Sequence, residues 1–396
     1  MIRFHRIAAA AVAVLCAAGS APAADTFDIH VIATLTGPAA FVGKYMKLNF
    51  EAFEAMVNDE GGIKGRKLRF VFDDGQSQPQ LAVQLANDVI AEHPSVLMVT
   101  GPVANCAAVA PLLKDGPVMW CNSPALRPKP GSYAFASGPS GFDGFAALLR
   151  YFRSNGWIKV ALLNTTDTTG QDADFYIDKD IALPENAGTM TLVAREHFNP
   201  SDLSVSAQIE RIKSSGAQAM FAWTTGSPAA TVFKGMIQAG LDIPVAPTGG
   251  NEVFQQLEQY KAFLPKGVVM ASALFPPHDG IVALDPRVEK VQHEMYAVLA
   301  KRGMKADNNT ADTWDAALIT VAGLRALGPE ASASQLRDWI LAQKDFAGID
   351  GLYDFTAAPE RGLGSDTTTI VGYDPGGPDG PRWKWLSKIG GEPLAR

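Results

Sequence analysis

Apolar positions along the chain alternate between two periods. Residues 27–34, Phe-Asp-Ile-His-Val-Ile-Ala-Thr, are rich in β-formers and run into Thr36-Gly37-Pro38, a turn signal, so a first strand ends there. Residues 46–58 then space Phe50, Phe53, Ala55 and Val57 at about helical period, and Glu60-Gly61-Gly62 breaks that helix. The rhythm continues with a strand at 67–73, a helix at about 80–92, a strand at 95–100, a helix at about 107–114 and a strand at 117–120. Strand and helix in strict alternation predict a parallel sheet with crossover helices.

A loop rich in Pro, Gly and Ser at 122–141 interrupts the pattern, which restarts with a helix near 142–155 and a strand at 159–164. Helices at 172–181, 204–214 and 229–239 then alternate with strands at 191–197, 219–224 and 244–248, a second α/β lobe that shares only its rhythm with the first. A strand at 267–273 leads to helices near 286–302, 310–327 and 334–344. Past Gly348 the character changes: 351–355, 367–373 and 383–386 read as strands between Gly/Pro-rich turns.

Composition places this pattern in a globular protein. The chain has 396 residues, 47% hydrophobic and 19% charged, enough for two domains with separate cores. Its formal net charge is -7 and it has no long Lys/Arg run, which argues against nucleic acid and anionic lipid as partners. Arg3, His5 and Arg6 precede an apolar run at 7–18 and the small residues Ala21-Pro22-Ala23, the three-part layout of a secretory signal cut after Ala23. The run falls short of the roughly 20 apolar residues a membrane helix needs, so no membrane insertion is expected and the mature protein is placed in the periplasm. Leu15 before Cys16 counts against lipidation. In that compartment Cys106 and Cys121 are free to form a disulfide, and two buried thiols fit the composition equally.

Catalytic signatures are missing. There is no phosphate loop, dinucleotide Gly fingerprint, His-Glu-x-x-His, Cys-x-x-Cys or Gly-x-Ser-x-Gly elbow. His30, His93, His197, His278 and His293 are scattered without an i, i+4 pair, so no metal and no cofactor is expected. Asp73-Asp74 at the end of a strand fits a turn cap better than an acid/base pair. Ser140 in Gly138-Pro139-Ser140-Gly141 superficially resembles a hydrolase nucleophile, yet no His stands in a suggestive context, and the segment reads as a linker between lobes.

Several segments together resemble the type I periplasmic solute-binding proteins related to leucine/isoleucine/valine-binding protein. They are Thr36-Gly37-Pro38 with Gly43, the run Val57-Asn58-Asp59-Glu60-Gly61-Gly62-Ile63-Lys64-Gly65-Arg66-Lys67-Leu68, and Asp73-Asp74 with Pro79. Gly101-Pro102-Val103 through Ala110-Pro111, Ser123-Pro124-Ala125-Leu126, Asp202-Leu203-Ser204 and Trp314-Asp315-Ala316 extend the likeness over essentially the whole mature chain. The resemblance implies an α/β fold of two doubly wound parallel-sheet lobes joined by three crossover segments, placed near 138–142, 271–275 and 348–353. The lobes would be 24–140 with 274–350, and 141–273 with 351–396. It implies a binding protein that closes on a small-molecule ligand and delivers it to an ABC permease in the inner membrane; a monomer without catalysis is expected. A sensor presenting the same fold to a regulatory partner is the alternative role; a hydrolase built on Ser140 or Asp73-Asp74 is the outlying one.

Relatives grip a ligand carboxylate with a Ser after the Gly-Pro turn and a small or Thr segment after the next strand. The matching positions are Asn105 and Cys121-Asn122-Ser123, uncharged donors that also suit a helix cap near Cys106 and a turn. Two departures bear on the ligand. Amino-acid binders carry an acidic residue where this chain has Gly249-Gly250, although Glu252 is close by, and they carry an aromatic before Gly170 where this chain has Thr168-Thr169. Phe41, Trp223 and Phe275 are the candidates for an apolar or stacking wall. Lobe one binds first through Asn105, Asn122 and Ser123, and lobe two then contributes Thr169, Trp223, Thr225 and Gly249. An aromatic or hydrophobic carboxylate is the expected ligand class, with branched-chain or other amino acids second.

Overall fold

The computed structural model describes residues 26–37, 39–123 and 125–394. The signal at 1–23 with Cys16 lies outside the described residues, as do Pro38 and Pro124 of the motifs above. In chain order the first half comprises β1 (Thr26–Ala33), α1 (Ala40–Asp59), β2 (Lys67–Asp74), α2 (Pro79–Ala91), β3 (Val96–Thr100), α3 (Val103–Val109), β4 (Val118–Asn122) and β5 (Ala134–Ala136). There follow α4 (Gly141–Ser154), β6 (Lys159–Thr165), α5 (Thr168–Ile181), β7 (Thr191–Phe198), α6 (Ser206–Ser214), β8 (Ala219–Trp223), α7 (Ser227–Ala239), β9 (Val245–Pro247) and α8 (Phe254–Tyr260). The remainder is β10 (Val269–Ser272), α9 (Pro286–Ala300), α10 (Asn308–Leu327), α11 (Ala333–Leu341), β11 (Phe346–Ala347), β12 (Leu352–Tyr353), β13 (Thr369–Asp374) and β14 (Arg382–Trp385).

The first sheet runs β2-β1-β3-β4-β5 and the second β7-β6-β8-β9, both parallel. This is the doubly wound arrangement of two lobes. Both faces of each sheet are covered, which is why the strands read as nearly continuous apolar runs. Alternate residues partition accordingly. Ile29, Val31, Val96 and Met98 share a core with Phe50, Phe53 and Trp314 of α1 and α10, while Ile32, Leu97 and Val99 share another with Ala82, Ala86 and Val109 of α2 and α3. Across the second sheet, Ala161, Leu163 and Met220 meet Ile209 and Phe233, whereas Val160, Leu162 and Phe221 meet Phe145, Phe152 and Tyr176. A three-stranded antiparallel sheet, β10-β13-β14, abuts the second sheet through a parallel bridge from Val245 to Val268.

Asp74 shapes the turn from β1 to α1. Its carboxylate accepts the backbone N–H groups of Leu35, Thr36 and Gln76 at 3.0, 3.2 and 2.9 Å and the Thr36 hydroxyl at 2.7 Å. Those donors hold its pKa below the ordinary carboxylate value against the effect of burial. Asp73 instead pairs with His30 at 2.9 Å.

Several element bounds differ from the sequence reading. Helix α1 starts at Ala40 rather than 46 and runs through Gly43, a poor helix former whose missing side chain lets the helix approach β1: a Cβ at this position would overlap the carbonyl oxygen of Thr34. Helix α3 starts at Val103 with Pro102 as its N-cap, so Asn105 lies inside the helix and does not cap it. The loop at 122–141 contains β5, an edge strand too short for periodicity to register, and α8 was not anticipated. Residues 351–355 supply only the two-residue β12, paired in a hairpin with β11.

Candidate functional site

A cavity of about 470 Å³ opens where the carboxyl ends of the two parallel sheets face each other. Gly101 after β3, Asn122 at the end of β4, Asp167 after β6, Trp223 at the end of β8 and Thr248 after β9 all line it. Ligands collect at such strand ends because loops and helix starts meet there. The starts of α1, α3, α4, α5, α7 and α10 reach this wall. Three carry their own acceptor: Ser140 caps α4, Asp167 caps α5 and Asp307 caps α10. The other three, α1, α3 and α7, have no side-chain cap. Much of their first-turn hydrogen bonding is met from elsewhere in the chain: Ser77 Oγ accepts the Ala39 N–H at 3.2 Å, Asn251 Oδ1 accepts the Gly226 N–H at 3.0 Å, and backbone carbonyls accept those of Ala40, Val42, Asn105 and Ala229.

Of the residues singled out from the sequence, Phe41, Asn122, Ser123, Thr169, Trp223, Thr225 and Gly249 line the cavity. Asn105 and Phe275 do not. Asn105 is 1% exposed within α3, and its side-chain amide meets no protein partner among the described residues. Phe275 is fully buried in the main core, and its carbonyl accepts the Tyr296 hydroxyl. Glu252 is also set back from the wall: it accepts from Ser272 Oγ at 2.9 Å, and complete burial pushes its pKa well above the usual carboxylate range. Cys106 and Cys121 form a disulfide, with a Cα–Cα distance of 5.7 Å, that ties α3 to β4 next to Asn122.

Further lining residues escaped the sequence reading. Tyr176, two turns along α5 from Thr169, forms an aromatic wall with Trp223, and burial pushes its hydroxyl up to about 12. Asp312 and Asn309 come from α10, Asp350 from the segment after β11, and Thr368 from the approach to β13. Helix α10 is buried nearly all round, so no polar stripe marked its cavity face. Burial raises the pKa of Asp312, and burial with the neighbouring charges of Asp315 and Asp312 raises that of Asp350. Asp172 is raised by burial and pulled back by Arg127, its ion-pair partner from beyond β4. Among the described residues, no Lys, Arg or His lines the cavity.

The lining offers hydrogen-bonding groups and apolar surface. Ser140 donates to the Asp143 carboxylate at 2.6 Å and accepts the Asp143 N–H at 3.0 Å, which makes it a helix cap. Among the described residues, no group of three His, Cys, Asp or Glu side chains is arranged to hold a metal ion, and no helix is long and apolar enough to cross a membrane.

A family model described as periplasmic binding protein matches residues 26–378. Leu/Ile/Val-binding protein homolog 3 of Brucella melitensis is 28% identical over 212 residues, 51% of this chain and 55% of that protein, so the chain spans about half the length of this relative. The branched-chain amino acid transporter substrate binding protein LivJ of Streptococcus pneumoniae, solved with isoleucine, superposes with a TM-score of 0.71 at 17% identity, covering 94% of this chain and 98% of its own. A fatty acid ABC transporter substrate-binding protein from Thermomonospora curvata gives 0.74 at 18% identity, covering 91% of each chain. At these identities the two structures establish the fold.

Proposed function

The chain belongs to the periplasmic binding protein family, and from that premise we propose that it is the extracytoplasmic receptor of an ABC importer, taking up a small organic carboxylate with an aromatic or hydrophobic body. The observation that carries this reading is the cavity wall. Phe41, Tyr176 and Trp223 supply apolar and stacking surface, while the starts of α1 and α7 turn their positive dipole ends toward the cavity. These positive ends balance a ligand carboxylate where no side-chain cation lines the cavity among the described residues. Lobe one comprises 24–140 with 274–350 and lobe two 141–273 with 351–396. The open protein binds on the first lobe through Asn122 and Ser123, and the second closes with Thr169, Trp223, Thr225 and Gly249. The protein acts as a monomer, exported by its N-terminal signal, and its macromolecular partner is the permease.

A second reading, an amino-acid receptor, is favoured by Asp312 and Asp350, whose carboxyls line the cavity and suit a ligand ammonium. The names of the Brucella and Streptococcus proteins point the same way. A thermal-shift screen separates the two. A ligand at about 100 times its Kd stabilises by roughly 2.7 kcal/mol, so binders stand out. Benzoate and phenylacetate are expected to raise the Tm while leucine, isoleucine and valine leave it unchanged. The reverse result establishes the amino-acid reading, and silence from both groups removes the carboxylate proposal.

A further inference from the structure

We infer that Arg127 is a positioning residue for solute binding: with Asp172 it forms a clasp across one edge of the cavity that holds the two lobes together around a bound solute and slows its escape. The inference rests on the receptor reading above and deepens it.

The two side chains come from opposite halves of the site. Arg127 stands in the loop between β4 and β5 of the first sheet. Leu126 beside it is buried in a core with Met119 and Cys121 of β4, which fixes the loop to that sheet, and Ser123 and Ala125 of the same loop line the cavity. Asp172 lies on α5, which follows β6 of the second sheet; it stands one turn beyond Thr169 and one before Tyr176, and all three line the cavity. Other ion pairs, such as Arg69 with Asp28 and Arg211 with Glu196, join neighbouring elements of one half. This one joins elements that belong to different sheets.

Arginine suits the position because one planar group makes two kinds of contact at once. The guanidinium donates to Asp172 Oδ1, and its centre lies 5.0 Å from the centroid of the Phe175 ring and 5.8 Å from that of Tyr176. The side chain of Asp172 is 9% exposed and that of Arg127 57%, so the pair runs from the inner wall to the outer surface. Separating the lobes takes the guanidinium off its carboxylate and off both rings together. Opening has to precede release, so contacts made only when the lobes are together lower the release rate.

Stopped-flow release of phenylacetate tests this, or of isoleucine if the thermal-shift screen selects the amino acids. Neither Arg127 nor Phe175 lines the cavity, so replacing them removes no wall contact with the solute. Arg127→Ala is expected to raise koff about tenfold, the effect of losing a charge-assisted hydrogen bond, with kon little changed. Phe175→Leu, which keeps the ion pair and removes the ring beneath it, should raise koff about threefold, and Arg127→Lys should fall between wild type and Arg127→Ala. Each variant is checked for folding by its melting curve. A koff unchanged in Arg127→Ala, or a change confined to kon as loss of a distant attraction would give, overturns the clasp and leaves the receptor reading standing. If neither solute binds, both ligand readings fall, and small-angle scattering of the protein alone decides the clasp: a larger radius of gyration in Arg127→Ala than in wild type supports it, and equal radii overturn it.

Discussion

Gly43 and Gly170 perform one task in the two lobes. Each sits in the first turn of the helix that follows the first strand of its sheet in chain order, and a Cβ there would overlap the carbonyl oxygen of Thr34 or Thr165. The absence of a side chain lets α1 and α5 press against β1 and β6, and α5 carries Thr169, Asp172 and Tyr176 to the cavity. Gly170→Ala forces α5 outward. A loss of about 1–3 kcal/mol is expected in urea unfolding, with weaker solute binding alongside. Unchanged stability would show that the helix can shift without cost. The need for glycine at these points was not legible beforehand, because a close approach of helix and strand leaves no local pattern. Phe41 and Trp223 were legible as large apolar residues beside turns; Asp350 and Thr368 were not, since nothing local distinguishes them from other loop residues.

Caps divide the helices into two groups. Asp307 and Thr310 form a capping box on α10, Ser332 and Gln335 form another on α11, and Ser140 closes α4. Those ends complete their own hydrogen bonding, whereas α1 and α7 reach the cavity without a side-chain cap. Ser140→Ala should cost about 1 kcal/mol in chemical denaturation, the usual effect of losing a Ser cap. Turnover of an ester or amide panel by the wild type, abolished in that variant, would restore Ser140 as a nucleophile. Element order and type were readable because helix and strand periods are local, and amphipathic helices such as α4 betray themselves. Elements without a period to show, the short β5 and α8, were missed, and α10 hid its cavity face because nearly every side is covered.

At the scale of the molecule, the two sheets and the antiparallel annex enclose more buried carboxyls than cations can match. Burial raises Asp307 to about 7 and, joined by Asp143 and Glu185, Asp180 to about 7, far above an ordinary aspartate. Glu252, Asp312 and Asp350 move in the same direction. Such a group keeps its proton in the folded chain after the unfolded chain has lost it. Its stabilisation is fully present below about pH 4 and is lost as pH rises toward 7. Asp74 and Asp285, held low by their donors, act only below that window. The Tm is therefore expected to be higher at pH 5 than at pH 7.5. A flat profile, or one rising with pH, would mean that these carboxyls are ionised in the native protein.

The alternation of periods was enough to specify parallel sheets, covering helices and two lobes, because strand and helix each write a repeat into a dozen neighbouring residues. Candidate site positions came chiefly from the family resemblance, and seven of them line the cavity. Tertiary structure alone decided the rest. It buried Asn105 within α3 and Phe275 in the core, set Glu252 back behind Ser272, and brought Asn122, Asn309, Asp350 and Thr368 to one cavity. Those four are far apart along the chain, coming from β4, α10, the segment after β11 and the approach to β13. Their convergence depends on contacts no local repeat encodes.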